Sequence, residues 1–269
     1  MEKELVVQRG GGDLGSGIAW RLHRSGFRVV ILEIAQPVVI RRTVSFAQAV
    51  FDGRTTVEGV AGVRASEIAE IRRAWREDHL PVMVDPEMKV IAELKPDVII
   101  DATMAKRDNG LRCNMAPLTI ALGPGFEAGI HADVVIETKR GHNLGRLIFQ
   151  GAAERDTGAP TSIEGYSTER LLRAPCKGKV MHAVDIGAEV RRAEIICRVG
   201  DQPVLAPFDG VVRGLIMSGT NVPQGFKIGD VDPRQVRSHC FTISDKSRTL
   251  GGSALEAILY FRNRAKATA

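Results

Sequence analysis

The sequence predicts an α/β fold with a mostly parallel sheet, followed by a smaller all-β domain. Three observations carry this. Short, wholly apolar segments alternate with helix-like ones through the first half of the chain. A glycine-rich turn separates the first apolar segment from the first helix. A gapless internal repeat fills much of the remainder. Apolar runs between helical segments are what a parallel sheet covered on both faces needs.

Taken in order, Leu5-Val6-Val7-Gln8 reads as a strand and Gly10-Gly11-Gly12-Asp13-Leu14-Gly15 as the turn behind it. Ile18, Ala19 and Leu22 have helical spacing, and Ser25-Gly26 ends that helix. Arg28 to Glu33 is a second buried strand. The stretch Arg41 to Val63 has the weakest pattern and admits an inserted hairpin. Ser66 suits an N-cap, with Glu67 and Glu70 in the first turn of a helix running to about Arg76. Leu80 to Val84 is a strand, and Asp85-Pro86 opens a short helix with proline in its favoured first position. Asp97 to Asp101, Leu118 to Leu122 and Asp133 to Glu137 complete the series.

The turn-rich stretch Glu154 to Gly165, with Asp156-Thr157-Gly158-Ala159-Pro160 in it, reads as a linker. Beyond it, Ala174-Pro175-Cys176-Lys177-Gly178-Lys179-Val180 returns 32 positions later as Ala206-Pro207-Phe208-Asp209-Gly210-Val211-Val212. Gly187 and Gly219, Val190 and Val222, Ile196 and Ile228, and Val199 and Val231 keep the same offset. This pattern resembles the two halves of a biotinyl/lipoyl-like barrel-sandwich hybrid. Neither half could bury its own apolar face, so the two must interlock. Leu250, Ala254, Leu255, Ile258 and Leu259 form the stripe of a closing helix. The expected division is therefore 1–160 for a Rossmann-like nucleotide- or anion-binding domain and 170–235 for the barrel-sandwich hybrid. Residues 236–269 are expected to form a strand and a docking helix.

Composition narrows the function classes. The chain has 269 residues, 44% hydrophobic and 26% charged, with a net charge of +5, which is ordinary globular composition. No window is apolar and long enough to span a membrane, and the start at Met1-Glu2-Lys3-Glu4 lacks the features of a secretory leader. Cys113, Cys176, Cys197 and Cys240 form no CxxC pair and have no metal-ligand spacing, so no metal is expected and a cytoplasmic protein with reduced thiols is. The basic residues are dispersed, which argues against nucleic acid as a partner.

Gly10-x-Gly12-x-x-Gly15 has the spacing of a dinucleotide fingerprint, with a strand before it and a helix after it. Glu33 closes the next strand. In that pattern the glycines let backbone approach a pyrophosphate, the helix N-terminus favours its charge, and the acid accepts from ribose hydroxyls. NAD, or another phosphate-bearing nucleotide or pterin held non-covalently, is the cofactor this predicts. A glycine turn that serves structure alone is the other reading, and Asp13 inside the motif favours it. Ligands of open α/β sheets sit beyond the carboxyl ends of the strands. Arg42, Lys106, Arg107, Lys139 and Arg140 follow such ends, and converging Arg and Lys suit a small anionic ligand. His142 and Lys106 are the candidate acid–base residues. The junction of the repeats, Gly200-Asp201-Gln202-Pro203-Val204-Leu205, has no lysine, so neither biotin nor lipoate is expected there.

Several of these segments together are more specific than any one. They are Arg41-Arg42-Thr43-Val44-Ser45-Phe46, Met104-Ala105-Lys106-Arg107, Ala121-Leu122-Gly123-Pro124-Gly125-Phe126, Glu137-Thr138-Lys139-Arg140-Gly141-His142 and Lys227-Ile228-Gly229-Asp230-Val231-Asp232-Pro233-Arg234. On them the chain resembles, over nearly its whole length, the YqeB-type accessory proteins of the selenium-dependent molybdenum hydroxylase system. The resemblance implies a maturation role for xanthine dehydrogenase-like hydroxylases, with the hydroxylase or its cofactor-handling proteins as partners. A homo-oligomer is compatible with it. Relatives tend to show Gly-Ala-Gly-Asp-Leu-Ala-Thr-Gly where this chain has Gly10-Gly11-Gly12-Asp13-Leu14-Gly15-Ser16-Gly17, so the dinucleotide pattern is cleaner here. Two other readings stay open: an NAD-dependent oxidoreductase acting on a small acidic substrate, and a non-catalytic scaffold.

Overall fold

The computed structural model describes residues 3–155 and 162–267; of the expected linker Glu154 to Gly165, residues 156–161 lie outside the described residues. The chain divides into two units. Unit 1 comprises Met1–Pro37, Phe46–Asp156 and Ile243–Ala269, and unit 2 comprises Val38–Ser45 and Thr157–Thr242.

Unit 1 begins with β1 (Leu5–Arg9), α1 (Asp13–Arg24) and β2 (Arg28–Glu33). Then come α2 (Ala49–Asp52), β3 (Arg54–Val57), β4 (Val60–Ala65), α3 (Ile68–Arg76), β5 (Leu80–Val84), α4 (Ile91–Leu94), β6 (Val98–Asp101) and β7 (Leu118–Leu122). It continues with β8 (Glu127–Ala128), β9 (Val134–Ile136), β10 (Leu147–Ile148) and β11 (Gly151–Ala152), and closes with α5 (Asp245–Ala267). The main sheet has nine strands in the order β10-β9-β7-β6-β1-β2-β5-β4-β3. From β9 to β4 the neighbours are parallel; β10 and β3 pair antiparallel at the two edges.

This corrects the expected fold class. The sheet is mixed, and the passages from β6 to β7 and from β7 to β9 contain no α-helix, only a 3₁₀ turn at Cys113–Met115 and the two-residue β8. The physical reason lies in the segments themselves. Lys106-Arg107-Asp108-Asn109-Gly110 has no apolar periodicity from which to build a crossover helix. α5, from the far end of the chain, packs on α1 and on β7 and β9. It reaches α1 closely because Gly17 and Gly251 face each other. A Cβ on Gly17 would stand 2.6 Å from the Ser247 carbonyl oxygen, and one on Gly251 would stand 2.7 Å from that of Gly17. α1 buries Ile18, Ala19 and Leu22 completely, and each larger side chain contributes roughly 1.5–3 kcal/mol. Among the described side chains of α5 the buried apolar ones are Leu250, Ala254, Ala257 and Ile258, whereas Leu259, expected inside, is exposed. The hairpin admitted within Arg41 to Val63 is β3–β4, and its turn at Glu58 and Gly59 takes positive φ at both positions (41° and 82°), as tight hairpins require.

Unit 2 contains β12 (Leu171–Arg173), β13 (Gly178–His182), β14 (Glu189–Val190), β15 (Ile195–Val199), β16 (Gln202–Leu205), β17 (Gly210–Leu215), β18 (Asn221–Val222) and β19 (Lys227–Asp232). They form two four-stranded sheets, β12-β19-β17-β14 and β16-β15-β13-β18, antiparallel throughout. This second part of the expected fold class is corrected too: the unit is two separate antiparallel sheets rather than a biotinyl/lipoyl-like barrel-sandwich hybrid. The sequence repeat relates the first four strands to the last four, and each sheet draws two strands from each repeat. Val180, Ile196, Val199, Val211, Val212, Ile228 and Val231 fill one shared core. Residues Arg237–Cys240 make a 3₁₀ turn where a strand was expected.

The β15–β16 turn consists of Gly200 and Asp201. Protein co-expressed with biotin and lipoate ligases is therefore expected to keep its unmodified intact mass. An increment of biotin or lipoate size would refute this.

Candidate functional site

The chain runs from β1 through β2 to β5 in one direction across the sheet and from β6 through β7 to β9 in the other. The order reverses between β1 and β6, which is where open α/β sheets place ligands. The glycine turn leaves β1 at this point. Gly10 has φ +93°, and a Cβ there would lie 3.2 Å from the Ala102 carbonyl carbon and from the Thr103 nitrogen, at the end of β6. Gly12 is the N-cap of α1 and offers no side chain to cap it. Gly15 is needed by the turn itself, since a Cβ there would stand 2.3 Å from the Gly10 carbonyl oxygen.

Glu33, at the end of β2, folds toward the turn. Its Oε1 accepts the Gly11 N–H at 2.7 Å and its Oε2 the Ile34 N–H at 3.0 Å. Burial pushes its carboxyl above the ordinary value, against the pull of those two donors. The Gly11 carbonyl accepts from Ser16 Oγ and from the Ala47 N–H. Asp13, in the first turn of α1, accepts from Ser247 Oγ at 3.0 Å. Beneath the turn, Gln8 is fully buried and donates through Nε2 to the Gly10 and Gly15 carbonyls at 2.8 and 2.9 Å.

Sequence reasoning missed the network next to it. Asp101, fully buried at the end of β6, accepts from the Thr103 N–H and Oγ1 at 3.0 and 2.5 Å and from Asn109 Nδ2 at 2.7 Å. Arg9 closes it, 3.5 Å from Asp101 and donating to the Asn109 carbonyl at 2.9 Å. The available signal was an arginine directly before the glycines and an acid closing an apolar strand.

The loops after β6, β7 and β9 meet. A Cβ on Gly123 would touch the Met104 Cε and Thr138 Oγ1, each at 3.1 Å, and Gly125 lies directly against Ala105 and Lys106. Met104 takes φ +56°, an uncommon conformation for a non-glycine residue. Of the expected cations, Lys106 and Arg107 are exposed on this rim. Lys139 pairs with Glu154 at 2.7 Å, and Arg140 forms a bidentate pair with Asp245. The buried Glu137 orders their loop by accepting the Lys139 and Glu154 N–H groups. His142 is exposed and makes no side-chain hydrogen bond among the described residues. Arg42 does not join this rim. It belongs to unit 2, where it donates to the Leu215 carbonyl at 2.7 Å and to Asp185 at 2.8 Å. Among the described residues no group of three or more His, Cys, Asp and Glu is placed to hold a metal ion, and no helix is long and apolar enough to cross a membrane.

No family model matches the chain. It overlays only weakly on solved structures. One is an aspartoacylase family protein from Mesorhizobium loti (TM-score 0.28, 9% identity, 86% of this chain and 85% of that one). Another is a succinylglutamatedesuccinylase/aspartoacylase from Rhodobacter sphaeroides (TM-score 0.26, 14% identity, 86% and 85%). A third is the product-bound ectoine utilization protein EutE (DoeB) from Ruegeria pomeroyi (TM-score 0.24, 10% identity, 84% and 56%). These likenesses are too low to support a conclusion about activity. In sequence the chain is 48% identical over 256 residues to the Escherichia coli (strain K12) protein named "Uncharacterized protein YqeB", a match that takes in 95% of this chain and 47% of that protein. The chain is thus a relative of YqeB and spans about half of its length.

Proposed function

We propose that unit 1 binds a phosphate-bearing ligand, an adenine dinucleotide such as NAD or a related nucleotide or pterin, at the β1 glycine turn. The observation that carries this reading is the position of Glu33. Its carboxylate sits on the Gly11 N–H at 2.7 Å, where an acid at the end of the second strand meets the ribose of a dinucleotide lying across a glycine turn. The uncapped start of α1, at the point where the strand order reverses, supports a place for the phosphates. Lys106 and Arg107, on the adjoining rim, supply positive charge. When bound, NAD would bring hydride chemistry. The protein's own part is to hold the phosphates with backbone N–H groups and to orient the ribose through Glu33.

The biological setting we propose is maturation of selenium-dependent molybdenum hydroxylases. It rests on the motif resemblance described for Arg41 to Phe46, Met104 to Arg107 and Lys227 to Arg234. A scaffold without catalysis is the second reading. It is favoured by the glycine turn's own contacts, since Glu33, Ser16 and Ala47 already engage both polar groups of the Gly11 backbone.

Titration calorimetry of the full chain with NAD and NADP tests the first reading. NAD is expected to bind more tightly, because Glu33 opposes a 2′-phosphate, and Glu33→Gln is expected to narrow the difference. Arg107→Ala is expected to weaken binding by roughly 10- to 150-fold, the worth of one charged hydrogen bond. Failure of both nucleotides to bind would leave the scaffold reading. Normal hydroxylase activity and cofactor content in a host lacking this protein would refute the maturation setting.

A further inference from the structure

We propose that unit 2 holds a second anion site, independent of the glycine turn, in which Arg213, with Arg234 and Arg41 beside it, takes one tetrahedral oxyanion of the phosphate or sulfate class. Arg213 sits at an irregularity of β17, where the pairing with β19 shifts register between Val212 and Gly214. Such bulges re-aim a side chain. The Arg213 side chain is only 11% exposed. Its guanidinium makes no hydrogen bond to any described residue, and its nearest acid, Asp232, stands 3.6 Å away. The Arg213 Nε is sealed from solvent without a partner, so the terminal nitrogens are the part left to meet a ligand.

The neighbouring acids are already engaged. Asp232, 1% exposed, is gripped by Arg234 at 2.9 and 2.6 Å, and Asp230, 5% exposed, is held by Arg170 at 2.9 Å. Three guanidiniums thus share two carboxylates, and Arg213 is the one left over. Arg41, itself buried, is brought alongside by the bond from the Leu215 N–H to the Ile40 carbonyl, and it donates to the carbonyls of His239 and Thr242. Desolvation, with the positive charges of Arg41 and Arg234, pushes the Arg213 pKa below its ordinary value. A half-satisfied guanidinium held out of water is costly unless something completes its hydrogen bonds. Guanidiniums approaching from three chain segments suit an oxyanion with several acceptor oxygens.

The repeat supplies an internal control. At the offset of 32 the counterpart of Arg213 is Met181, which is 52% exposed. The counterparts of Asp230, Asp232 and Arg234 are Arg198, Gly200 and Gln202. The first half builds the same strands without this charge cluster, so strand pairing does not require it.

The test is titration calorimetry of the full chain with inorganic sulfate, then inorganic phosphate, against chloride at constant ionic strength. The wild type is expected to show a saturable event that Arg213→Met, which copies the first repeat, weakens at least tenfold. Arg234→Gln, at a third-exposed side chain, is expected to weaken it as well. Arg192→Ala, an exposed charge outside the cluster, is expected to leave it unchanged. No saturable event in the wild type, or wild-type affinity in Arg213→Met, overturns the proposal. If circular dichroism shows Arg213→Met unfolded, Arg234→Gln decides, and unchanged affinity there overturns it. Acetate binding as tightly as sulfate would overturn the tetrahedral class.

Discussion

Gly125→Ala is expected to destabilise unit 1 by about 3 kcal/mol or more, although it adds a single methyl group. That methyl carbon would fall 1.7 Å from the Ala105 carbonyl oxygen and 3.2 Å from the Lys106 Cα. The obstacle is backbone, which cannot swing aside as a flexible side chain does. Either the loop carrying Lys106 and Arg107 moves, or the turn after β7 does. At about 2–4 °C per kcal/mol for a protein of this size, thermal denaturation should fall by roughly 6–12 °C. Gly252→Ala is the matched control. Nothing lies within 4 Å of its added carbon, and it is helical. There the same change should be neutral or stabilising by up to about 1 kcal/mol. A Gly125→Ala melting point within 2 °C of the wild type would show that the loop after β6 yields freely and does not hold the rim.

Asp101→Ala is expected to cost roughly 3–5 kcal/mol, the usual result of removing one partner from a buried charged network. Thr103, Asn109 and Arg9 each direct a donor or a charge at this fully buried carboxylate. Without it they are left with unmet groups in a poorly hydrated place. Because the loop from Thr103 to Asn109 also carries Lys106 and Arg107, any dinucleotide affinity should fall further than the loss of stability alone predicts. Chemical denaturation measures the first effect and calorimetry the second. If Asp101→Ala lost stability but kept full ligand affinity, the network would be structural only, and the rim would be positioned by Gly125 and Thr138 instead.

Strand positions were legible because burial on both faces writes itself as an uninterrupted apolar run. Val6-Val7, Val29 to Leu32 and Ile99-Ile100 are wholly buried and could be placed from composition alone. The sheet's mixed character was not legible, since the edge strand β10 is only Leu147–Ile148, too short to carry a period. The repeat was readable because its offset is constant, and it names which strands are equivalent. It does not say which strands pair, and that emerges only from the two sheets themselves. At the site, Gly10, Gly12, Gly15 and Glu33 come together because they are joined by local chain geometry. Arg42 was misplaced for the opposite reason. It follows β2 in sequence, but the chain enters unit 2 at Val38, and the residues that claim Arg42 are Asp185 and Leu215. The Arg213 cluster was hidden likewise, because Arg41 and Arg213 are distant in sequence and meet only once β17 is paired.

The position of α5 after the strands of unit 2 also sets an order of events on the ribosome. When β1 to β11 have emerged, the face of α1 that carries Gly17 has no cover, because the helix that fits it has yet to be synthesised. All of residues 162–242 must first be translated, which at ordinary elongation rates takes on the order of ten seconds. During that interval the nascent sheet exposes β7 and β9 apolar surface to any holdase or neighbouring chain. Newly made protein should therefore pass through a stage of chaperone dependence and protease sensitivity that ends only once α5 has been synthesised and docks on α1.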